Sequence, residues 1–453
     1  MDKLENVLGP IAEKLNNNKV LAAIRDGFLI ATPLIIASSF FLLVQNFPVP
    51  GYADFMAGIF GEDWSLYLGS VSGATFSLLA ILNVIGIGYS YAKQLDSDGA
   101  IGAVVSLVAY FIITPQRHPE FTNEAGDVFR GFSFSHLGSE GLFLAMLAAI
   151  ISVRVLVWVE DKGWIIKLPE GVPPMVMQSF SALIPAFFSI TFFFIIRIVF
   201  GMTSYEYAND FIYSVLQTPL MGLGRNPFFP VIYQFLSTLF WFFGINGPAV
   251  TNTVFGPIAT ALTFENLDAY QAFGMGADLP NIYTSSFSNF FGNYGGGGST
   301  LSLVIVMLLF GKSERLKQLS KLSILPGIFG INEMVIYGVP MVLNPIMIIP
   351  FLLAPVLNIS LAYGATAIGL IPRTFGLSIP WTTPIFFSGW LATGSIIASF
   401  FQIFLLVLGC LLYYPFFKVL DKQYLEQEDL DAQKDETDEL DEISLDDISF
   451  DEL

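Results

Sequence analysis

Residues 27–46 read GFLIATPLIIASSFFLLVQN, a stretch without one charged side chain. A helix of about 20 residues rises about 30 Å, the thickness of the hydrocarbon core of a bilayer. Comparable apolar runs recur near 70–92, 99–115, 138–160, 179–201, 228–246, 298–311, 341–358, 360–371 and 392–417. The fold class that follows is an all-α polytopic membrane protein with about ten transmembrane helices, re-entrant hairpins and interfacial helices. The run at 360–371 is too short to cross alone. Composition agrees: of 453 residues, 54% are hydrophobic, 13% are charged and 45 are Phe, and the mean hydropathy is +0.65. Soluble domains carry about 25% charged residues, so a soluble, disordered or disulfide-stapled chain is excluded.

The net charge of −18 is concentrated at one end. Residues 421–453 hold 15 acidic residues against two lysines and read as a disordered acidic cytoplasmic tail. Nucleic-acid binding is disfavoured, because nothing here neutralises phosphates. The single cysteine, Cys410, lies in an apolar run and reads as a small buried hydrophobe. Residues 1–26 place Leu4, Val7, Leu8, Ile11 and Leu15 at helical spacing among charges, the pattern of an amphipathic surface helix rather than a signal peptide.

Basic residues set the orientation. Lys3, Lys14, Lys19 and Arg25 precede the first run, Lys312, Arg315, Lys317 and Lys321 form the strongest basic loop, and Lys418 and Lys422 follow the last run. Segment 47–69 has no Lys or Arg and carries Asp54, Glu62 and Asp63. The N- and C-termini are therefore expected inside. Segment 116–135 is outside by counting, and 203–218 reads as an interfacial helix or an ordinary long loop.

From 244 to 390 the chain embeds Gly, Pro and Asn in apolar sequence: GINGPAVTN (244–252), DLPNIYTSSFSNFFGNYGGGG (278–298), FGINEMVIYGVPMVLNP (329–345) and IPWTTP (379–384). Such backbone cannot face lipid and is tolerated where it lines a cavity. The reading is a scaffold half over 1–220, a transport half over 221–420 with re-entrant segments, and the tail over 421–453.

Four positions stand out. Glu333 sits among apolar residues, where a carboxylate must meet a cavity, a cation or a polar ligand, unless nearby amides hold it structurally. Asn332 beside it both donates and accepts. Asn246 stands at a helix breakpoint, as a ligand amide or as a cap. Trp381, followed by Thr382 and Thr383, offers an indole face to a pyranose ring, or belongs to an interfacial aromatic belt. No Walker motif, C-x-x-C, dinucleotide fingerprint or metal-ligand spacing is present, so no cofactor and no metal are expected. These residues by themselves imply a transporter for a polar solute.

Several longer stretches carry a resemblance: RDGFLIATPLIIASSFFLLVQNFP (25–48), LGSEGLF (137–143), LPEGVPPMVMQSFSALIPAF (168–187), WFFGINGP (241–248), GGGGSTLSL (295–303), INEMVIYGVPMVLNP (331–345) and IPWTTPI (379–385). The chain resembles the membrane IIC subunit of the bacterial phosphoenolpyruvate-dependent sugar phosphotransferase system, in its lactose/cellobiose/diacetylchitobiose branch. The resemblance implies a permease in the bacterial cell membrane that imports a β-linked disaccharide. It also implies a homodimer of ten-span subunits and a cytoplasmic IIB partner, itself served by IIA, whose phosphocysteine phosphorylates the sugar at O6. The residues it implies are Glu333 as the catalytic carboxylate, with Asn332, Trp381, Thr382, Asn246 and the glycines Gly138 and Gly141 at the sugar. At 246 the family usually carries histidine, and Asn cannot hold a proton near neutral pH. That departure supports one alternative: a facilitator or sensor of the same fold that lost phosphorylation. Cys410 lies in a span and cannot serve as the phospho-acceptor, so the donor is expected on a separate protein.

Overall fold

The computed structural model describes residues 17–47, 51–122, 128–169, 171–339, 341–342 and 344–446, with Pro10 and Lys14; of these, the side chains of 118–122, 129, 174 and 432–446 are not described. The surface helix expected at 1–26 falls mostly outside the described residues. The chain is helical apart from one short hairpin, Arg117–Thr122 paired antiparallel with Val128–Arg130, in the loop expected outside. Among the described residues, six helices are long and apolar enough to cross a membrane: α1 (Lys19–Gln45), α2 (Trp64–Gln94), α4 (Ser139–Asp161), α5 (Met175–Gly201), α12 (Ile348–Ala367) and the membrane portion of α14 (Ile396–Asp446). A seventh crossing results if α8 (Ser285–Gly292) and α9 (Leu301–Phe310) are counted together, since the segments 285–299 and 301–310 form a pair bent by 57°. Between these lie α3 (Gly99–Ile113), α6 (Phe228–Phe242), α7 (Gly247–Phe273), α10 (Glu314–Ile328), α11 (Glu333–Gly338) and α13 (Phe387–Thr393).

Three sequence expectations change. The runs at 341–358 and 360–371 are not two spans: one helix, α12 (Ile348–Ala367), crosses the boundary between them, with Pro355 inside it. A 27-residue helix, α7, follows Asn246, in sequence expected to be irregular. Its polar positions (Thr251, Asn252, Thr253) hide it from a hydropathy scan but hydrogen-bond back along the helix or to α6, as Thr251 does to Gly247 O at 2.9 Å. Segment 203–218 is broken into a short helix, Ala208–Ile212, and a π-helical turn, Tyr213–Gln217.

Small residues bring the first helices together. A Cβ on Gly27 of α1 would lie 2.4 Å from the Ile87 side chain, and one on Gly86 of α2 would lie 2.5 Å from Gly27 O. Ser106 of α3 meets Ser152 of α4 at 2.9 Å between hydroxyls, and Ser189 of α5 donates to Ser152 O at 3.2 Å. Without a hydrophobic drive between helices in lipid, such close approach and hydroxyl pairing are what hold a bundle. The largest apolar core runs from Ala80 and Val84 through Phe193, Met221 and Leu262 to Leu405, so it is continuous across residue 220.

The tail does not separate from the fold at residue 421. α14 continues as helix to Asp446, and its first extramembrane turns are packed. Asp421, 6% exposed, accepts from Lys312 N and Ser313 N at 3.0 and 3.1 Å. Glu428 accepts from Ser313 Oγ at 2.7 Å and from Arg315 N at 3.0 Å. Both carboxylates thus satisfy orphan N–H groups at the start of α10 and oppose its positive end. Replacing Asp421 with Ala leaves two N–H donors without their acceptor and is expected to cost about 1–3 kcal/mol. Thermal unfolding of purified protein checks this: Asp421→Ala and a chain ended after 422 melt lower than the full chain, while one ended after 431 melts with it.

Candidate functional site

Within residues 221–420 a helix is broken. α8 stops at Gly292, and Gly295, Gly296 and Gly298 then take φ of +72°, +88° and +79° before α9 begins. A Cβ on Gly298 would lie 2.1 Å from the Phe351 ring, so only glycine fits. The freed polar groups find partners from four elements. Asn332 Nδ2 donates to Gly297 O at 2.9 Å and to Thr300 Oγ1 at 3.0 Å, and Tyr413 OH donates to Gly298 O at 2.6 Å. Asn358 Nδ2 donates to Ser299 Oγ at 3.0 Å, and that hydroxyl donates to Gly292 O at 3.1 Å. Thr300 Oγ1 donates to Gly295 O at 2.7 Å.

Against this break lies the Trp381 segment. The indole is 61% exposed and its ring lies where a Cβ on Gly330 (φ +83°) would be 3.2 Å away. Trp381 and Thr383 line a cavity of about 30 Å³ with Asn289, Asn293, Gly330 and Ser388. Gln234 Nε2 fixes Asn293 by donating to its Oδ1 at 2.8 Å. The far end of the segment turns at Phe386, a non-glycine residue at φ +80°, ψ −56°. Such strain persists only where its surroundings over-determine it. Gln402 of α14 does so: its Oε1 accepts from Phe386 N at 2.9 Å and Gly389 N at 3.0 Å. Its Nε2 donates to Phe290 O at 2.8 Å and Ser388 Oγ at 3.0 Å. Ser399 Oγ closes the turn on Phe386 O at 2.5 Å. Trp381, the amides Asn289 and Asn293, and the break therefore form one constellation of ring face and hydrogen-bonding groups, suited to a neutral polyhydroxylated solute.

The expected residues fall in different places. Asn332 is buried at the break, with its amide engaged by the Gly-rich turn. Glu333 is the first residue of α11 and its side chain is exposed, rather than enclosed by amides. Trp381 lines the cavity, but Thr383 does so in place of Thr382. Asn246 is not a C-cap: it is the exposed N-cap of α7, its Oδ1 accepting from Ala249 N at 3.1 Å. Gly138 and Gly141 pack elsewhere, in a turn where a Cβ on Gly141 would meet His136 O and the Tyr110 hydroxyl. The neighbouring Ser139 donates to Asp268 near the end of α7.

Sequence reasoning missed Asn289, Asn293 and Gln402. The signal was there: two amides at i and i+4 in a quoted apolar segment, and a lone Gln in IIASFFQIFLLVLG. Asn332→Ala is expected to cost about 1–3 kcal/mol by orphaning Gly297 O. Trp381→Ala, at an exposed ring, leaves the melting temperature nearly unchanged. Melting curves of the two variants, with sugar-binding isotherms for the second, check the contrast between a residue that holds the break and one that faces the ligand.

With this geometry in view, comparison with known proteins is informative. Residues 25–355 match the family described as "Phosphotransferase system, EIIC". The "PTS system cellobiose-specific EIIC component" of Geobacillus stearothermophilus is 39% identical over 432 residues, covering 94% of this chain and 96% of that one. The "PTS system oligo-beta-mannoside-specific EIIC component" of Bacillus subtilis (strain 168) is 37% identical over 429 residues, covering 94% and 95%. Among solved structures, the transporter ChbC, "the IIC component from the N,N'-diacetylchitobiose-specific phosphotransferase system", superposes with a TM-score of 0.89 at 39% identity, covering 94% of this chain and 99% of that one.

Proposed function

The chain belongs to the EIIC family of the phosphotransferase system, and on that premise we propose that it imports a β-linked disaccharide of the cellobiose or diacetylchitobiose kind for phosphorylation at O6. The observation that carries the substrate class is the exposed indole of Trp381 over a cavity lined by amides and hydroxyls, with no charged residue among its described lining. A neutral sugar presents an apolar ring face to such an indole and hydroxyls to such a rim. The sugars named for the related permeases above fit the same description.

The protein is an integral membrane component. The ten crossings that the resemblance implies would need α3, α6 and α7 in addition to the six long helices and the bent pair. The basic loop that leads into α10 and the basic residues after the last apolar run support cytoplasmic termini. The apolar outward face of α5, with Phe187, Phe192, Phe194 and Ile195 exposed, suits lipid or the second subunit of a homodimer. The scaffold reading of 1–220 and the transport reading of 221–420 follow this division.

Phosphoryl transfer uses a IIB component. The sugar O6 attacks the phosphorus of the IIB phosphocysteine, an O–P bond forms, the S–P bond breaks and the thiolate leaves with the bonding pair. The O6 proton passes to the Glu333 carboxylate, which is exposed where a ligand can reach it. Asn332, next to Glu333 in sequence, ties the start of α11 to the Gly297–Thr300 turn. The uncoupled facilitator is not favoured: it rested on Asn246, whose side-chain oxygen serves to start α7.

Glu333→Gln keeps shape and one acceptor but removes the base. Sugar affinity is expected to fall modestly and phosphorylation by roughly 10²-fold or more. Sugar dissociation constants paired with single-turnover transfer from phosphorylated IIB check this. Loss of binding alone, with full transfer at saturating sugar, makes Glu333 a binding residue only.

A further inference from the structure

A second cavity, of about 200 Å³, opens between α1 of the scaffold half and α6, α7 and α8 of the transport half. Its polar lining includes Arg25, Tyr233, Asn252, Thr260, Ser288 and Asn289. Asn289 also lines the Trp381 cavity, so the two spaces share a lining residue. Arg25 is the one cation among the described linings of both. It lies within the first two turns of α1, on the side of the chain read above as cytoplasmic, and its Nε donates to Asp26 Oδ1 at 2.9 Å. On the opposite wall the Tyr233 hydroxyl donates to Asn252 Oδ1 at 2.9 Å, which leaves the Asn252 amide hydrogens directed by that bond.

The substrate and product of the proposed reaction differ in one respect that this cavity can sense. The sugar is neutral, and the product carries about −1.5 to −2 charges at pH 7 in its phosphate ester. A group that favours product over substrate must therefore be cationic, and a guanidinium fork matches phosphate oxygens bidentately. We infer that the cavity between α1 and α7 is a subsite for the phosphorylated sugar, with Arg25 binding its phosphate and Asn252 a sugar hydroxyl, on the way from the Trp381 site to the cytoplasm.

This inference rests on the phosphotransferase reading and is tested separately from it. The probes are cellobiose and cellobiose phosphorylated at O6 of its non-reducing ring, titrated into the purified full-length protein. Arg25→Gln is expected to weaken the phosphorylated sugar about tenfold or more, the scale of a lost charge-assisted hydrogen bond, with less than about a twofold change for cellobiose. Arg25→Lys retains part of the preference and makes it more salt-sensitive. Asn252→Ala, on the other wall, reports on the same cavity should Arg25→Gln not fold, and weakens the phosphorylated sugar more than the neutral one. Equal losses for both sugars, or no loss in these variants, overturn the subsite. Failure of the unaltered protein to bind either sugar overturns instead the reading of the Trp381 site.

Discussion

A polypeptide that breaks its helix inside a membrane must find partners for the peptide groups it releases, because no water is at hand to take them. The break between α8 and α9 sets that demand on this protein. Gly297 O and Gly298 O are met by Asn332 and Tyr413, and the Gly292 and Gly295 carbonyls by Ser299 and Thr300. Each partner fixes another element in turn. Asn332 ties down the start of α11, Tyr413 ties α14 to the turn, and Asn358 docks α12 through Ser299. An unpaired buried carbonyl costs more than a formed bond contributes, so these contacts specify the arrangement as much as they stabilise it.

α14 is the spine on which the site is assembled. Gln402 holds the strained Phe386 turn beyond Trp381, Tyr413 holds the glycine turn, and Asp421 with Glu428 holds the first turn of α10, the helix that leads to Gly330, Asn332 and Glu333. Three contacts spaced along one rigid helix thus relate the ring platform, the break and the carboxylate. The acidic sequence after the membrane is part of this frame for its first turns, where its charge meets the positive end of α10.

The two cavities divide the chemistry between them. The smaller, beside Trp381, is lined by an indole, amides and hydroxyls, which recognise a sugar without regard to charge. The larger, against α1, adds an arginine. The two cavities share Asn289 as a lining residue. The glycines of α1 and α2 let those two helices approach closely.

What the sequence by itself determined is whatever depends on a run of neighbours. Twenty apolar residues in succession specify a span, four glycines in a row specify a break, and a cluster of lysines specifies a side of the membrane. The membrane class and the breaks in 278–298, 329–345 and 379–384 were legible on those grounds. Only the tertiary structure decided which atoms face which. Asn246 became a helix N-cap, Thr383 rather than Thr382 reached the cavity, Glu333 stayed exposed while Asn332 was consumed by the break, and Gly138 and Gly141 went to a separate turn. α7 escaped notice because its polar residues find hydrogen bonds along the helix and on α6, and Gln402 escaped because its partners are 13 to 112 residues away. Hydrophobic length is local along the chain, whereas the partner of a buried amide is chosen by the packing of distant helices, which no window of sequence contains.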